Sequence, residues 1–247
     1  MNQGWSWTGY FDYLFNHFMM MGALSTVGLT LAGMLGGLLL GTLLAFARLS
    51  PRAWLSIPAR FYTWVFRGTP LLVQLIIIYT GLPQIGLRFS VLESVLIGLI
   101  LNEAAYLAEI IRGGVQAIPA GQINAAKALG FRGLGVLRFV IFPQTMRLIL
   151  PSLGNSFNGL LKTTSIASVI SMEELLRRTQ MLIQEKFMVL ELFMVAATYY
   201  LILTTLWDFV QRRIERHYAN AYRTDRDSSA ATPRIPAPAV LAQEKHL

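Results

Sequence analysis

Five long apolar runs alternate with short polar segments along the 247 residues of the chain. A helix needs about 20 consecutive, mostly apolar residues to cross the hydrocarbon core of a bilayer. Each run is long enough for one crossing, so the pattern predicts an all-α integral membrane protein with about five transmembrane helices. The predicted spans are residues 20–46, 60–82, 91–111, 139–161 and 188–210, the second of which is interrupted by Pro70.

The charges lie mostly between these spans. Charged residues make up 14% of the chain, whereas soluble domains carry roughly 25%. Arg48, Arg52 and Arg60 follow the first span, but the first 47 residues contain no Lys or Arg. Because basic loops stay in the cytoplasm, this distribution predicts an outer N-terminus and a cytoplasmic C-terminus. It also explains the net charge of +8 without nucleic acid as a partner.

These signals divide the chain into three parts. Residues 1–17, rich in Trp and Tyr, are expected to be a periplasmic segment at the outer membrane interface. Residues 18–216 form the membrane domain. Residues 217–247 are expected to be a disordered cytoplasmic tail, because they are rich in Ala, Pro and charged residues and poor in large apolar ones.

The third span carries polar side chains at membrane depth. Asn102, Glu103, Tyr106 and Glu109 fall within an arc of roughly 120° on a helix. A charge in mid-bilayer costs on the order of 3 kcal/mol, so these residues should face protein or water. They form either structural polar packing or the lining of a pathway.

Glu109 also has candidate ion-pair partners. Arg112 follows it by three residues, which places the two on the same face of a helix. Arg67 of the second span either pairs with a carboxylate such as Glu109 or contacts a substrate, and the structural pair is the favoured interpretation.

Lys162, Thr163, Thr164 and Ser165 form a second polar group, after the fourth span. Hydroxyl residues before an apolar run can cap a helix N-terminus. Free N–H groups at such an end, with Lys162 beside them, would favour a carboxylate. The alternative is the ordinary outer end of a span, with Lys162 reaching the interface.

The first span contains Gly33, Gly37 and Gly41 at four-residue spacing, followed by Ala45. Small residues in this pattern let another helix approach closely. The ridge therefore indicates helix packing, either within the subunit or at a moving or intersubunit interface.

The sequence contains no motif for catalysis. There is no cysteine, the three histidines are scattered, and GxxxxGK[ST], HExxH and GxSxG are all missing. We therefore expect no catalytic residues, no metal site and no cofactor in this chain.

The segment PAGQINAAKALGFRG, residues 119–133, is polar and rich in helix formers. Pro119 suits a first helical turn and Gly130 a helix end. The segment predicts a helix of about 11 residues, within residues 118–130, that is too short and too polar to span the membrane. It either docks into a groove of a partner or lies on the membrane surface.

This segment resembles the EAA loop of permease subunits in ATP-binding cassette (ABC) importers. The family pattern is Glu-Ala-Ala, three residues, Gly, nine residues, Ile, one residue and Leu-Pro. Here Asn124-Ala125-Ala126 is followed at the same spacing by Gly130, Val140 and Phe142-Pro143, with Asn124 in place of Glu. The stretches FRGTPLLVQL, AYLAEIIRGGVQAIPAGQ, FPQTMRLILP and LLKTTSIASVIS are similar to the subfamily that imports polar amino acids.

The resemblance implies a type I ABC importer permease fold in the bacterial inner membrane. It also implies four kinds of partner: a second permease, identical or paralogous; two ABC ATPase subunits, which would bind ATP and Mg²⁺; a solute-binding protein; and an amino acid substrate. The coupling surface carried over from the family comprises Pro119, Gly121, Asn124, Ala125, Ala126 and Gly130. Alternatives are a similar importer for an opine, an amine or a small anion, or an ion channel or secondary transporter.

Overall fold

The computed structural model describes residues 5–220, with side chains through Tyr218. Four helical stretches are long and apolar enough to cross a membrane: His17–Leu49, Val91–Gln116, Leu134–Ile170 and Val189–Tyr218. The bent pair Ala53–Gly68 and Leu71–Ile85 makes up to five. The predicted all-α membrane fold is therefore confirmed. The α-helices are α1 Trp7–Leu14, α2 His17–Leu49, α3 Ala53–Gly68, α4 Leu71–Ile76, α5 Val91–Gln116, α6 Ala120–Ala128, α7 Leu134–Val136, α8 Phe142–Thr163, α9 Leu175–Lys186 and α10 Val189–Asn220.

The second predicted span is not straight but bends by 103° between α3 and α4. Pro70 has no N–H and disfavours helical geometry at the residue before it. Thr69 accordingly has the extended angles φ −119° and ψ 142°. The side-chain amide of Gln74 donates to the backbone carbonyls of Phe66 and Thr69 and to the Thr69 hydroxyl. The break therefore keeps its freed carbonyls satisfied, as a buried backbone requires.

Helices α2 and α5 form the centre of the molecule. Gly33, Gly37, Gly41 and Ala45 are all buried in α2. A Cβ atom on Gly33 would lie 3.3 Å from the side chain of Leu99, and one on Gly41 would lie 3.0 Å from that of Leu107. The glycine ridge therefore packs against α5 within the subunit, which was the first of the two interpretations left open by the sequence.

The remaining long helices surround this pair. Helix α8 is preceded by a π-helical segment, Leu137–Ile141, and followed by a 3₁₀ segment, Thr164–Ile170. Helix α10 packs on α8 through stacked rings of Phe157 and Trp207, whose centroids are 3.7 Å apart. Because α10 continues through Asn220, the predicted start of the tail at residue 217 falls inside a helix. The rest of that predicted tail lies outside the described residues.

Two short helices, α1 and α9, were not foreseen from the sequence. Glu174 caps α9 by accepting hydrogen bonds from the N–H groups of Leu176 and Arg177. Burial raises the pKa of its carboxyl, while those hydrogen bonds act in the opposite direction. Helix α1 is tied to α10 because the Ser6 N–H donates to the Glu191 carboxylate over 2.9 Å.

Candidate functional site

A cavity of about 450 Å³ lies between the break at Pro70, helix α5 and helix α8. The broken span supplies one wall, the polar arc of α5 the second and α8 the third. Four of the predicted pathway residues line it, namely Asn102, Glu103, Tyr106 and Thr163. The remaining lining residues are Arg67, Thr69, Pro70, Leu71, Glu109, Ile110, Ser156, Gly159 and Leu160.

Asn102 joins α5 to the broken span. Its amide donates to the backbone carbonyl of Phe66 over 3.2 Å and to the side-chain oxygen of Gln74 over 3.1 Å. Asn102 therefore makes the structural polar contacts that were one of the two interpretations of this residue. It fixes the position of the break, and it also forms part of the cavity wall.

Glu103 reaches the cavity from the crowded α2–α5 contact. A Cβ atom on Gly37 would lie 3.0 Å from both Cβ and Cγ of Glu103, so the glycine provides the space that the stem of Glu103 occupies. The residue is 8% exposed. Among residues 5–220, its buried oxygen Oε1 has no hydrogen-bond partner, although the hydroxyl of Ser156 lies beside the carboxyl. A buried carboxylate oxygen in this state favours a donor or a cation in the cavity.

Glu109 is the centre of an arginine cluster that joins three helices. It forms ion pairs with Arg48 of α2, Arg67 of α3 and Arg112 of its own helix. The distance is 3.4 Å to Arg67 and 2.7 Å to Arg112. The structure thus shows the Arg67–Glu109 and Arg112–Glu109 pairs expected from the sequence. Arg48 was missed because it lies 61 residues from Glu109.

The proposed helix cap at Thr163 to Ser165 is wrong. This stretch is the end of α8 and the beginning of the 3₁₀ segment, not a helix start with free N–H groups. The Thr164 hydroxyl donates to the Leu161 carbonyl, and the Ser165 hydroxyl donates to the Lys162 carbonyl. Thr164 is fully buried. Of the four predicted residues, Thr163 lines the cavity, whereas Lys162 is exposed on the surface of the single chain.

The predicted polar helix is present as α6, Ala120–Ala128. Pro119 occupies its N-cap position, and Gly130 follows its end with φ +88°, a conformation that favours glycine. Gly121, Asn124 and Ala125 are exposed, whereas Ala126 is buried at 4%. Ala126 therefore packs against its own chain, and it is not part of the exposed surface of α6 as the predicted coupling surface had it. Leu129, just after the helix, is 80% exposed.

Gly121 of α6, unlike Ala126, has no packing contact that explains a glycine among the residues that the structure describes. A Cβ atom on Gly121 would have no atom within 4 Å, apart from its own neighbours in the helix. Gly41, in contrast, is enclosed by α5. The exposed face of α6 is therefore free to accept another molecule at close range.

Residues 37–220 match the family described as the binding-protein-dependent transport system inner membrane component. The chain belongs to this family. The permease is thus a multi-pass protein of the inner membrane and a subunit of a transport system.

Two named relatives and a solved structure agree with this assignment. The permease is 39% identical over 232 residues to the arginine transport system permease protein of Corynebacterium glutamicum, covering 88% of this chain and 73% of the relative. It is 43% identical over 204 residues to the octopine transport system permease protein of Rhizobium meliloti, covering 77% and 83%. A crystal structure of an amino acid ABC transporter with histidines aligns with TM-score 0.81 and 33% identity, over 87% of this chain and 100% of that one.

Ser156 and Gly159 of the permease line the cavity but were not predicted from the sequence. Both lie on α8, where the pattern NSFNGLLK mixes small and polar residues with apolar ones. Ser156, Gly159 and Thr163 are spaced by three and four residues, which places them on one helical face. That spacing is the signal from which the third wall could have been predicted.

Proposed function

We propose that the permease forms part of the translocation pathway of an ATP-driven amino acid importer, with its substrate passing through the cavity beside Glu103. The observation that carries the proposal is the cavity itself, about 450 Å³ in volume and lined by charged and polar side chains of membrane-spanning helices. Polar and ionisable residues at membrane depth are costly and mark substrate pathways. The arginine permease relative and the amino acid ABC transporter structure support an amino acid as the cargo.

A second permease subunit, identical or paralogous, would cover the open side of this chain. Lys162 is exposed in the single chain, and the side chain of Arg67 is 45% exposed. Contact with lipid tails would be unfavourable for either cation, whereas a protein partner or a water-filled pathway would accommodate both. With the N-terminus outside and the C-terminus inside, α6 would lie on the cytoplasmic side.

Two ATPase subunits would then bind ATP and Mg²⁺ and dock on the exposed face of α6. Gly121, Asn124 and Ala125 are exposed there and are small enough for close approach by a groove of the partner. Pro119 and Gly130 delimit the helix. A solute-binding protein would deliver the substrate from outside, and this chain would hydrolyse no ATP itself.

The octopine permease relative supports a second candidate cargo, an opine. The two candidates share the mechanism and differ in the ligand that the cognate binding protein delivers. Mass spectrometry of the ligand that copurifies with that binding protein separates them. An amino acid supports the main proposal, and an opine supports the second.

The proposed pathway is tested by placing a larger side chain in the cavity. Gly159 lines the cavity, and a Cβ atom on it would have no atom within 4 Å. We expect Gly159→Leu to leave the complex assembled but to reduce amino acid uptake into proteoliposomes at least tenfold. Gly28→Leu is the matched control, because Gly28 has the same open surroundings but does not line the cavity. Unchanged uptake by Gly159→Leu would contradict the proposed pathway.

A further inference from the structure

The cavity contains opposite charges at two levels of α5. Glu103 contributes a carboxyl with an unpartnered oxygen, and Arg67 contributes a guanidinium beside Glu109. Glu103 and Glu109 are six residues apart on the same helix, which corresponds to about 9 Å along its axis. A ligand that satisfies both groups therefore needs an anionic and a cationic end that are well separated.

Arg67 is the most loosely held of the three arginines around Glu109. Its side chain is 45% exposed, against 15% for Arg48 and 28% for Arg112. Arg48 also donates to the Thr63 hydroxyl, and Arg112 donates to Glu109 through two nitrogens. Glu109 therefore keeps two guanidinium partners when Arg67 contacts another anion.

Tyr106 orients Arg67 toward the cavity. The guanidinium carbon lies 5.6 Å from the centre of the Tyr106 ring, within the range of a cation–π contact. Tyr106 lines the same cavity. Guanidinium groups bind carboxylates through two parallel hydrogen bonds, so Arg67 is chemically suited to an α-carboxylate.

We infer that the permease carries basic amino acids, with the substrate α-carboxylate on Arg67 and the cationic side-chain end on Glu103. In an extended lysine or arginine the cation lies roughly 6 Å from the α-carbon, at about 1.3 Å of advance per bond. With one more bond from the α-carbon to the carboxylate, the two charged ends are about 7–8 Å apart, which is comparable with the roughly 9 Å between the levels of Glu103 and Glu109 along α5. The α-ammonium of a neutral amino acid lies too close to its carboxylate to reach Glu103 as well.

This inference rests on the proposed function, because it treats the cavity as the substrate site. It is tested with three ligands on the intact permease–ATPase complex in detergent, without the binding protein, by isothermal titration. L-arginine has both charged ends, L-citrulline has a neutral side chain of the same length, and agmatine is arginine without its carboxylate. We expect arginine to bind at least tenfold more tightly than either analogue.

Two variants assign each preference to its residue. Glu103→Gln should abolish the preference for arginine over citrulline, and Arg67→Gln the preference for arginine over agmatine. Arg112→Gln is the control, since it removes another arginine from Glu109 but lies outside the cavity lining, and it should keep both preferences.

Equal binding of arginine and citrulline by the unmodified complex would overturn the inference, whether or not the variants fold. Preferences that remain unchanged in both Glu103→Gln and Arg67→Gln would also overturn it. ATP-driven uptake of another amino acid with no binding of arginine would overturn the inference and leave the proposed function intact. A lack of ATP-driven uptake for any amino acid would overturn both.

Discussion

A Cβ atom on Gly41 of α2 would lie 2.9 Å from the backbone carbonyl oxygen of Ala104 on α5. Real Cβ atoms are almost never this close to another heavy atom, and a backbone oxygen cannot swing aside as a long side chain can. At this level the two helices touch with no side chain between them. The position of the Glu103 stem, which packs on Gly37 one turn away, depends on this close contact.

The contact predicts an asymmetric response to the same substitution at two glycines of α2. Gly41→Val should force the helices apart and cost about 1–3 kcal/mol, as is typical of overpacked cores. Gly28→Val should have little effect, because a Cβ atom there has nothing within 4 Å. The thermal unfolding midpoints of both variants in detergent measure the difference. Equal midpoints would be incompatible with the close α2–α5 contact.

The arginine cluster predicts that Glu109 contributes strongly to stability. Glu109→Gln would leave Arg48, Arg67 and Arg112 facing one another without a carboxylate. Removing one member of a fully buried ion pair typically costs about 3–5 kcal/mol, and the partial exposure of this cluster, from 15% for Arg48 to 45% for Arg67, places the expected cost below that range. Glu173→Gln is the matched control, because Glu173 forms its ion pair with Arg178 while its own side chain is 54% exposed. Exposed pairs contribute about 0–1 kcal/mol.

The thermal midpoints of these two glutamine variants provide the comparison. We expect a clearly lower midpoint for Glu109→Gln and a nearly unchanged one for Glu173→Gln. An unchanged midpoint for Glu109→Gln would mean that the three arginines do not depend on this carboxylate.

The open surroundings of Gly121 predict a variant that fails only in the assembled transporter. Gly121→Leu should fold normally, because a Cβ atom there has no described atom within 4 Å outside its own helical neighbours. It should reduce copurification of the ATPase subunits at least tenfold, since the added side chain would occupy the docking face of α6. Gly28→Leu makes the same change on α2 and should copurify the ATPase normally. Full copurification with Gly121→Leu would refute docking through this face.

The spans could be predicted from the sequence because bilayer thickness imposes a long apolar run on each of them. Pro70 and Gly130 were also informative, since their restricted or permissive backbones fix a break and a helix end. The 103° bend was beyond prediction, because the new direction of α4 depends on hydrogen bonds from Gln74 and Asn102 that only the folded chain brings together.

The candidate site was predicted in part. The arc on α5 identified Asn102, Glu103 and Tyr106 because residues on one helix keep a fixed angular relation. Arg48 could not be assigned to Glu109, since that pair depends on how α2 crosses α5. Thr164 was misplaced because hydroxyl residues serve both helix starts and helix ends. The sequence alone does not show whether they accept from free N–H groups or donate to carbonyls.

The permease is proposed to conduct an amino acid in a process driven by ATP hydrolysis on partner subunits. The most direct measurement is uptake of labelled amino acid into proteoliposomes that contain the permease, its cognate ATPase subunits and its binding protein. We predict uptake with ATP and none with a non-hydrolysable ATP analogue or with a catalytically disabled ATPase. Uptake at an equal rate under all three conditions would contradict ATP-driven import and indicate a channel or secondary transporter.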